Sequence, residues 1–145
     1  MASIPVKILR EGALLPTYGS AEAAGADLYA CLEAPVTIAP GETVFIPTGI
    51  AMAVPRGCAG LIYARSGMAC KRGLAPANKV GVVDSDYRGE INVVLHNHGS
   101  VPQTVVHGER IAQMVITPVL TPAYEAAEEL SDTVRNTGGF GSTGK

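Results

Sequence analysis

The chain has 145 residues, enough for one domain with a sizeable core. Eleven Lys and Arg against 13 Asp and Glu leave a net charge of -2, which gives no electrostatic reason to expect a nucleic-acid polymer or an anionic membrane as partner. There is no Trp and only two Phe, so the core must be built from Val, Ile, Leu and Ala. No apolar run reaches the length of a membrane span. Residues 1–5 lack a charged and an apolar leader region, and Cys31, Cys58 and Cys70 are odd in number and far apart. A cytoplasmic location with reduced, buried thiols is the expectation.

The 17 Gly and 10 Pro recur along the chain and separate short runs rich in β-branched residues. In chain order these runs are Val6 to Leu9, Val36 to Ile38, Thr43 to Ile46, Gly60 to Ala64, Val80 to Val83, Ile91 to His96 and Ile111 to Ile116. They predict many short strands joined by turns, with Pro40-Gly41 as one turn. In Ile91-Asn92-Val93-Val94-Leu95 the odd positions are apolar and belong on one sheet face. A sandwich, jelly roll or small barrel follows. Ser66 to Gly73 reads instead as one short helix, with Ser66 as cap, a basic last turn and a terminating Gly. Ala123 to Leu130 has helical propensity as well. The segment after Arg135 has too little apolar surface to fold alone. The chain divides into a β domain over 1–134 and a glycine-rich tail over 135–145.

Three constellations can carry chemistry. Gly139 to Lys145 spells Gly-x-x-x-x-Gly-Lys, but a phosphate loop of that type needs a helix after it, and the sequence stops at Lys145. Its glycines and Ser142 still suit an anion, and a planar base could stack on Phe140. By composition alone the segment is a flexible tail with an incidental Phe. Arg65-Ser66-Gly67 puts a hydroxyl, free backbone N–H groups and a guanidinium at one helix start, which describes an anion site or an ordinary cap. Gly81 to Glu90 reads as strand, polar turn and return strand, a plain hairpin or one whose carboxylate activates a water. His107-Gly108-Glu109 lacks the downstream Cys pair of zinc deaminases, and His96 and His98 lack a third metal ligand.

Taken in order, Ala24-Gly25-Ala26-Asp27-Leu28, Ala64-Arg65-Ser66-Gly67-Met68-Ala69, Gly81 to Glu90 with Asn78 before it, Gly108-Glu109-Arg110-Ile111-Ala112-Gln113, and Arg135 with Gly138 to Gly144 resemble the five motifs of the trimeric dUTPase family. The resemblance spans nearly the whole chain. It implies an all-β jelly roll with one short helix after Ser66, assembled as a homotrimer with active sites between subunits and the tail supplied by a neighbour. It implies hydrolysis of dUTP to dUMP and pyrophosphate with Mg2+. It also implies that residues 117–134 run extended across another subunit, against their helical propensity. By the resemblance, Asp84 is the general base. Arg65, Ser66, Gly67, Gln113, Arg135 and Ser142 hold phosphates. Asn78, Val82, Val83, Tyr87, Asn92 and Phe140 hold uracil and deoxyribose, and Asp27 reaches the metal through water. Two positions depart from the family pattern: Ala64 stands where Pro is usual, and Asn136 where Gly is usual. A dCTP deaminase of the same fold and a non-catalytic nucleotide-binding trimer are the alternatives. Arg65-Ser66-Gly67 differs from the deaminase's paired serines.

Overall fold

The computed structural model describes residues 3–140, so Ser142 and the rest of 141–145 lie outside the described residues. Among the described residues the chain forms twelve strands and one helix. In order these are β1 (Val6–Ile8), β2 (Thr17–Tyr18), β3 (Ala26–Tyr29), β4 (Val36–Ile38), β5 (Thr43–Pro47), β6 (Ile50–Met52), β7 (Cys58–Tyr63), α1 (Ser66–Arg72), β8 (Leu74–Pro76), β9 (Gly81–Val83), β10 (Asn92–Asn97), β11 (Gln103–Val105) and β12 (Arg110–Pro118). Every pairing is antiparallel. The largest sheet runs β2-β3-β12-β7-β9, a second runs β5-β10-β8, and β1-β6 and β11-β4 form two-stranded ribbons. All four close around one apolar cluster, a jelly-roll arrangement.

The alternation expected in β10 is present. Ile91, Val93 and Leu95 are buried, while Asn92 is exposed and Val94 and His96 are half-buried. Leu28, Ile38, Ile46, Ile50, Leu74 and Ile111 complete the centre of the core. Burying each such side chain contributes about 1.5–3 kcal/mol. The next inward position of β10 is Asn97, also fully buried. Its amide donates to the carbonyls of Ile38 (2.9 Å) and Val101 (2.8 Å) and accepts from the Gly99 N–H (2.9 Å). Its backbone is bonded to Gly41 and Glu42. One polar side chain thus ties β10, β4 and two turns together, at little cost because each of these groups is matched.

Helix α1 forms where expected, with one difference at its start. Arg65 occupies the N-cap, Ser66 is the first helical residue, and no side-chain cap is made. Gly73 ends the helix in the left-handed region (φ 67), and its N–H returns to the Met68 carbonyl. A Cβ at Gly73 would meet the Gly99 backbone at 2.8 Å, so the close approach of two turns also requires Gly there. Ala123 to Leu130 forms no helix: after Pro118 the chain continues without helix or strand through residue 140. Leu120, Tyr124, Leu130 and Val134 on this extension are almost fully exposed. A helix there would have no core face to bury, and propensity alone does not hold so short a helix together.

The N-terminal segment is fastened to the loop between β9 and β10. Arg10 donates Nε and Nη2 to the two Glu90 carboxylate oxygens at 2.7 and 2.9 Å, and Glu90 also accepts the Gly49 N–H at 3.0 Å. The hydrogen bond from Arg10 holds the Glu90 carboxyl below its ordinary value of 4.5. Partial burial opposes this, and Gly49 and the Arg10 charge reinforce it.

Two measurements check these ties. Asn97→Ala leaves one buried and two partly buried groups unmatched and lowers unfolding free energy by about 2–3 kcal/mol in denaturant titration at fixed protein concentration; an unchanged midpoint contradicts the role given to Asn97. A carboxyl with a depressed pKa stabilises the fold above its ordinary pKa, and this contribution fades as pH falls through the folded-state value. Wild type therefore exceeds Glu90→Gln in stability at about pH 7, with the gap narrowing below pH 4.5. A gap that stays constant down to about pH 3 contradicts the clamp.

Candidate active site

The centre of the largest sheet sets the first half of the site. Gln113 on β12 pairs with Asp27 on one side and Tyr63 on the other. Three strands thus bring an amide, a carboxylate and the approach to α1 into one row. The Gln113 amide donates to the Ala64 carbonyl at 2.9 Å, just before Arg65. Gly25 leaves room for this, since a Cβ there would meet Gln113 Oε1 at 2.6 Å.

A register shift between Arg110 and Ala112 changes which face Arg110 takes. Residues three apart on a regular strand point to opposite faces. The extra residue lets Ile111 and Ala112 both bury and turns Arg110 to the face of Gln113. Arg110 Nη1 then reaches Asp27 Oδ2 at 3.3 Å, and Arg65 Nε reaches Asp27 Oδ1 at 2.7 Å. Asp27 is buried, and two guanidinium groups share its single negative charge. The surplus positive charge faces a cavity of about 430 Å3 lined by Asp27, Arg65, Ser66, Gly67, Arg110 and Gln113 among others. Such a cavity suits an anion with several oxygens. Of the expected phosphate residues, four of six are gathered here. Arg110 is an addition: it lies inside the motif that ends at Gln113 but has no expected role there, and its charge within that motif was the available signal.

The second half lies at β9 and the turn that leads from it to β10; β9 pairs with β7 while β10 pairs with β5 and β8, so the hairpin expected over Gly81 to Glu90 does not form and its two arms belong to different sheets. A cavity of about 290 Å3 is lined by Asn78, Val82, Val83, Asp84, Tyr87 and Asn92, together with Phe45, Glu90 and others. All five residues expected to hold the nucleoside from this region are present, and Asp84 is with them. Strand β9 is an edge strand, paired only with β7 through Gly81↔Ile62, Val82↔Leu61 and Val83↔Gly60. Among the described residues, the backbone groups on its other edge have no strand partner. The Asn78 amide lies close to Gly81, where an added Cβ would crowd Ile62 at 3.2 Å and touch Asn78 Nδ2 at 3.4 Å. Tyr87 donates its hydroxyl to the Glu90 carbonyl at 3.0 Å, which fixes the ring across the turn. Asp84 is exposed, and among the described residues its carboxylate makes no hydrogen bond or ion pair. Asp84 also borders a third cavity with Arg56, Asp86 and Arg88. Phe45 stands outward because Ile46 turns into the core, and it is 70% exposed. An outward Phe in a chain with only two was the signal for it.

The two cavities have no lining residue in common. Arg135 and Phe140 line neither; both lie on the exposed extension. Arg135 donates Nε to the Gly138 carbonyl and accepts the Gly138 N–H, a tight turn. Asn136 within it sits in the left-handed region at φ 43, which Gly adopts most readily and Asn tolerates. The departure at position 136 therefore keeps the backbone shape a Gly would take. Among the described residues no three His, Cys, Asp or Glu side chains come close enough to hold a metal ion. Both Asp27 oxygens already accept from Arg, so a divalent cation would rest on the oxygens of its ligand.

A family model described as dUTPase matches residues 11–144. A deoxyuridine 5'-triphosphate nucleotidohydrolase of Syntrophotalea carbinolica is 48% identical, covering 98% of this chain and 97% of the relative. The protein of the same name in Maricaulis maris is 49% identical, covering 99% of each. Among solved structures, the Staphylococcus bacteriophage 80alpha dUTPase with dUPNHPP superposes with a TM-score of 0.91 at 28% identity, covering 100% of both chains. With the family model over nearly the whole length and close to half of all residues shared with full-length relatives, this chain belongs to the dUTPase family.

Proposed function

We propose that this protein is a dUTP diphosphatase, cleaving dUTP to dUMP and pyrophosphate by attack of water on the α-phosphorus. One observation carries the reading: an unpaired strand edge, suited to a pairing base, lies in the same cavity as a free carboxylate. The uracil edge pairs with backbone groups of Val82 and Val83 and with the Asn78 amide. Cytosine carries an amino group where uracil has O4, which leaves buried groups unmatched, and such mismatches discriminate strongly. Tyr87, fixed by its bond to Glu90, packs on deoxyribose and leaves no room for a 2′-hydroxyl, while Asn92 faces the sugar from β10.

Asp84 accepts a proton from the attacking water and orients it. Arg65, Ser66, the Gly67 N–H and Gln113 hold phosphate oxygens, and Arg110 shares with Arg65 the charge beside Asp27. Phosphoryl transfer demands little covalent chemistry from a protein and much charge stabilisation, which two guanidinium groups around one acid supply. Mg2+ would be held mainly by the triphosphate's own oxygens, with Asp27 reaching it through water, and would supply charge neutralisation there.

The half-sites are completed by assembly. Three copies form a homotrimer in which the nucleoside cavity of one copy faces the phosphate cavity of its neighbour. Residues 117–134 lie along another copy, which gives exposed Leu120, Tyr124, Leu130 and Val134 a surface to cover. Residues 135–145 then close over the nucleotide, with Phe140 on uracil and Arg135 and Ser142 at the outer phosphates. Closure excludes bulk water from the reacting phosphorus. No helix among the described residues is long and apolar enough to cross a membrane, and a cytoplasmic location suits an enzyme acting on free nucleotides.

Pyrophosphate release from dUTP, dCTP, dTTP and UTP, with and without Mg2+, tests the function. Release from dUTP alone, dependent on Mg2+, is expected, and Asp84→Asn lowers kcat by roughly 10²–10⁴-fold with KM little changed. Ammonia from dCTP, or binding of dUTP without cleavage by wild type, overturns the reading. Deleting residues 136–145 is expected to leave the trimer intact by light scattering while lowering turnover by at least about tenfold. Full turnover in the truncated protein removes the tail from the mechanism.

A further inference from the structure

Helix α1 is clasped at both ends by the same strand. At its start, Gln113 on β12 donates to the Ala64 carbonyl. At its end, Arg72 pairs with Glu109, the residue immediately before β12. The Arg72 guanidinium uses all its nitrogens. Nε donates to Gln103 Oε1 at 3.0 Å, Nη2 donates to the Thr104 carbonyl at 2.6 Å, and Nη1 serves Glu109 and reaches Met68 Sδ at 3.4 Å. The other Glu109 oxygen accepts the Val106 N–H at 3.1 Å, so the acid is fixed by the turn it sits in. Arg72 is three-quarters buried. The planar fork matches these partners in a way a point charge cannot.

The helix is only seven residues long and has no side-chain cap at its start. Of its side chains, only Met68 is buried. The other fixed point is just past its C-terminal end, where Gly73 lies against Gly99 and its carbonyl accepts the His98 N–H at 2.8 Å, which leaves the helix start free to tilt. Ser66 and Gly67 line the phosphate cavity at one end, and Arg72 anchors the other end outside that cavity. Any tilt of the helix moves Ser66 and Gly67 relative to Gln113 and Arg110, which stay with β12. We infer that Arg72, through Glu109, Gln103 and Thr104, is a positioning residue for phosphate recognition: it holds Ser66 and Gly67 in line with Gln113. The inference rests on the phosphate role given above to Ser66 and Gly67.

The test separates triphosphate binding from nucleoside binding. Calorimetric titration of dUPNHPP and NMR titration of deoxyuridine are run on wild type, Arg72→Ala, Arg72→Lys and Gln103→Ala, with steady-state kinetics on dUTP. Arg72→Ala is expected to weaken dUPNHPP roughly ten- to a hundredfold while leaving deoxyuridine within about twofold of wild type. Arg72→Lys keeps the Glu109 pair but not the fork, and recovers part of the loss. Wild-type dUPNHPP affinity and kcat/KM in Arg72→Ala overturn the inference. So does an equal loss of both ligands, which marks general damage to the fold. If Arg72→Ala does not fold, Arg72→Lys and Gln103→Ala decide: each must weaken dUPNHPP selectively, and unchanged binding overturns the inference. A wild-type protein that binds no dUPNHPP defeats the functional reading itself, an outcome visible before any variant is made.

Discussion

Strand β12 is hydrogen-bonded on both sides, and this double pairing controls the cavity around Asp27, Arg65 and Gln113. Gln113 meets Asp27 across one edge and Tyr63 across the other. A slip of one residue in either ladder would turn Gln113 toward the core and Met114 toward solvent. The buried Met114, Ala112 and Ile111 forbid that slip. Packing of the apolar face therefore sets the polar face. Arg65 and Arg110 arrive at Asp27 from opposite sides because β7 leads into α1 on one flank and the bulge reorients β12 at its start.

Asp27 is the hinge of the local electrostatics. A buried carboxylate with no partner would be costly; here it is matched by two guanidinium groups at 2.7 and 3.3 Å. The arrangement leaves positive charge in excess without placing a cation in an apolar setting. It also explains why Asp27 is poorly placed as a direct metal ligand: its oxygens are committed to Arg. In the cavity beside β9 the logic differs. Tyr87 and Asn92 both donate to the Glu90 carbonyl, whose own side chain is held by Arg10, while the Asp84 carboxylate has no partner among the described residues.

Much of this was legible in the sequence where period and turn chemistry agree. The β10 alternation, the Pro40-Gly41 turn and the helix from Ser66 to Gly73 are examples. Strand β3 was not, because Ala26, Asp27 and Leu28 are all buried and the period of two vanishes. The bulge at Ile111 was not, because consecutive Ile and Ala read equally as a regular strand. Residues 123–130 mislead in the opposite direction: Ala, Glu and Leu favour a helix, yet the segment has no face of its own chain to pack on. The motif residues were found through resemblance, which names the side chains but not their companions. Phe45, Arg110 and Arg72 act through three-dimensional neighbours far away in sequence, which a motif that contains Arg110 or a count of two Phe does not reveal. The division of the site into two cavities is likewise invisible in one dimension.

The free edge of β9 has a cost outside catalysis. An exposed strand edge will accept any extended peptide and is a seed for fibrous aggregation. Here the open stretch is three residues long and lies between Lys79 and Asp84. It is too short to template sheet growth and is flanked by charges of both signs that a stacking strand would have to desolvate. The protein can thus leave this edge uncovered while remaining resistant to polymerisation.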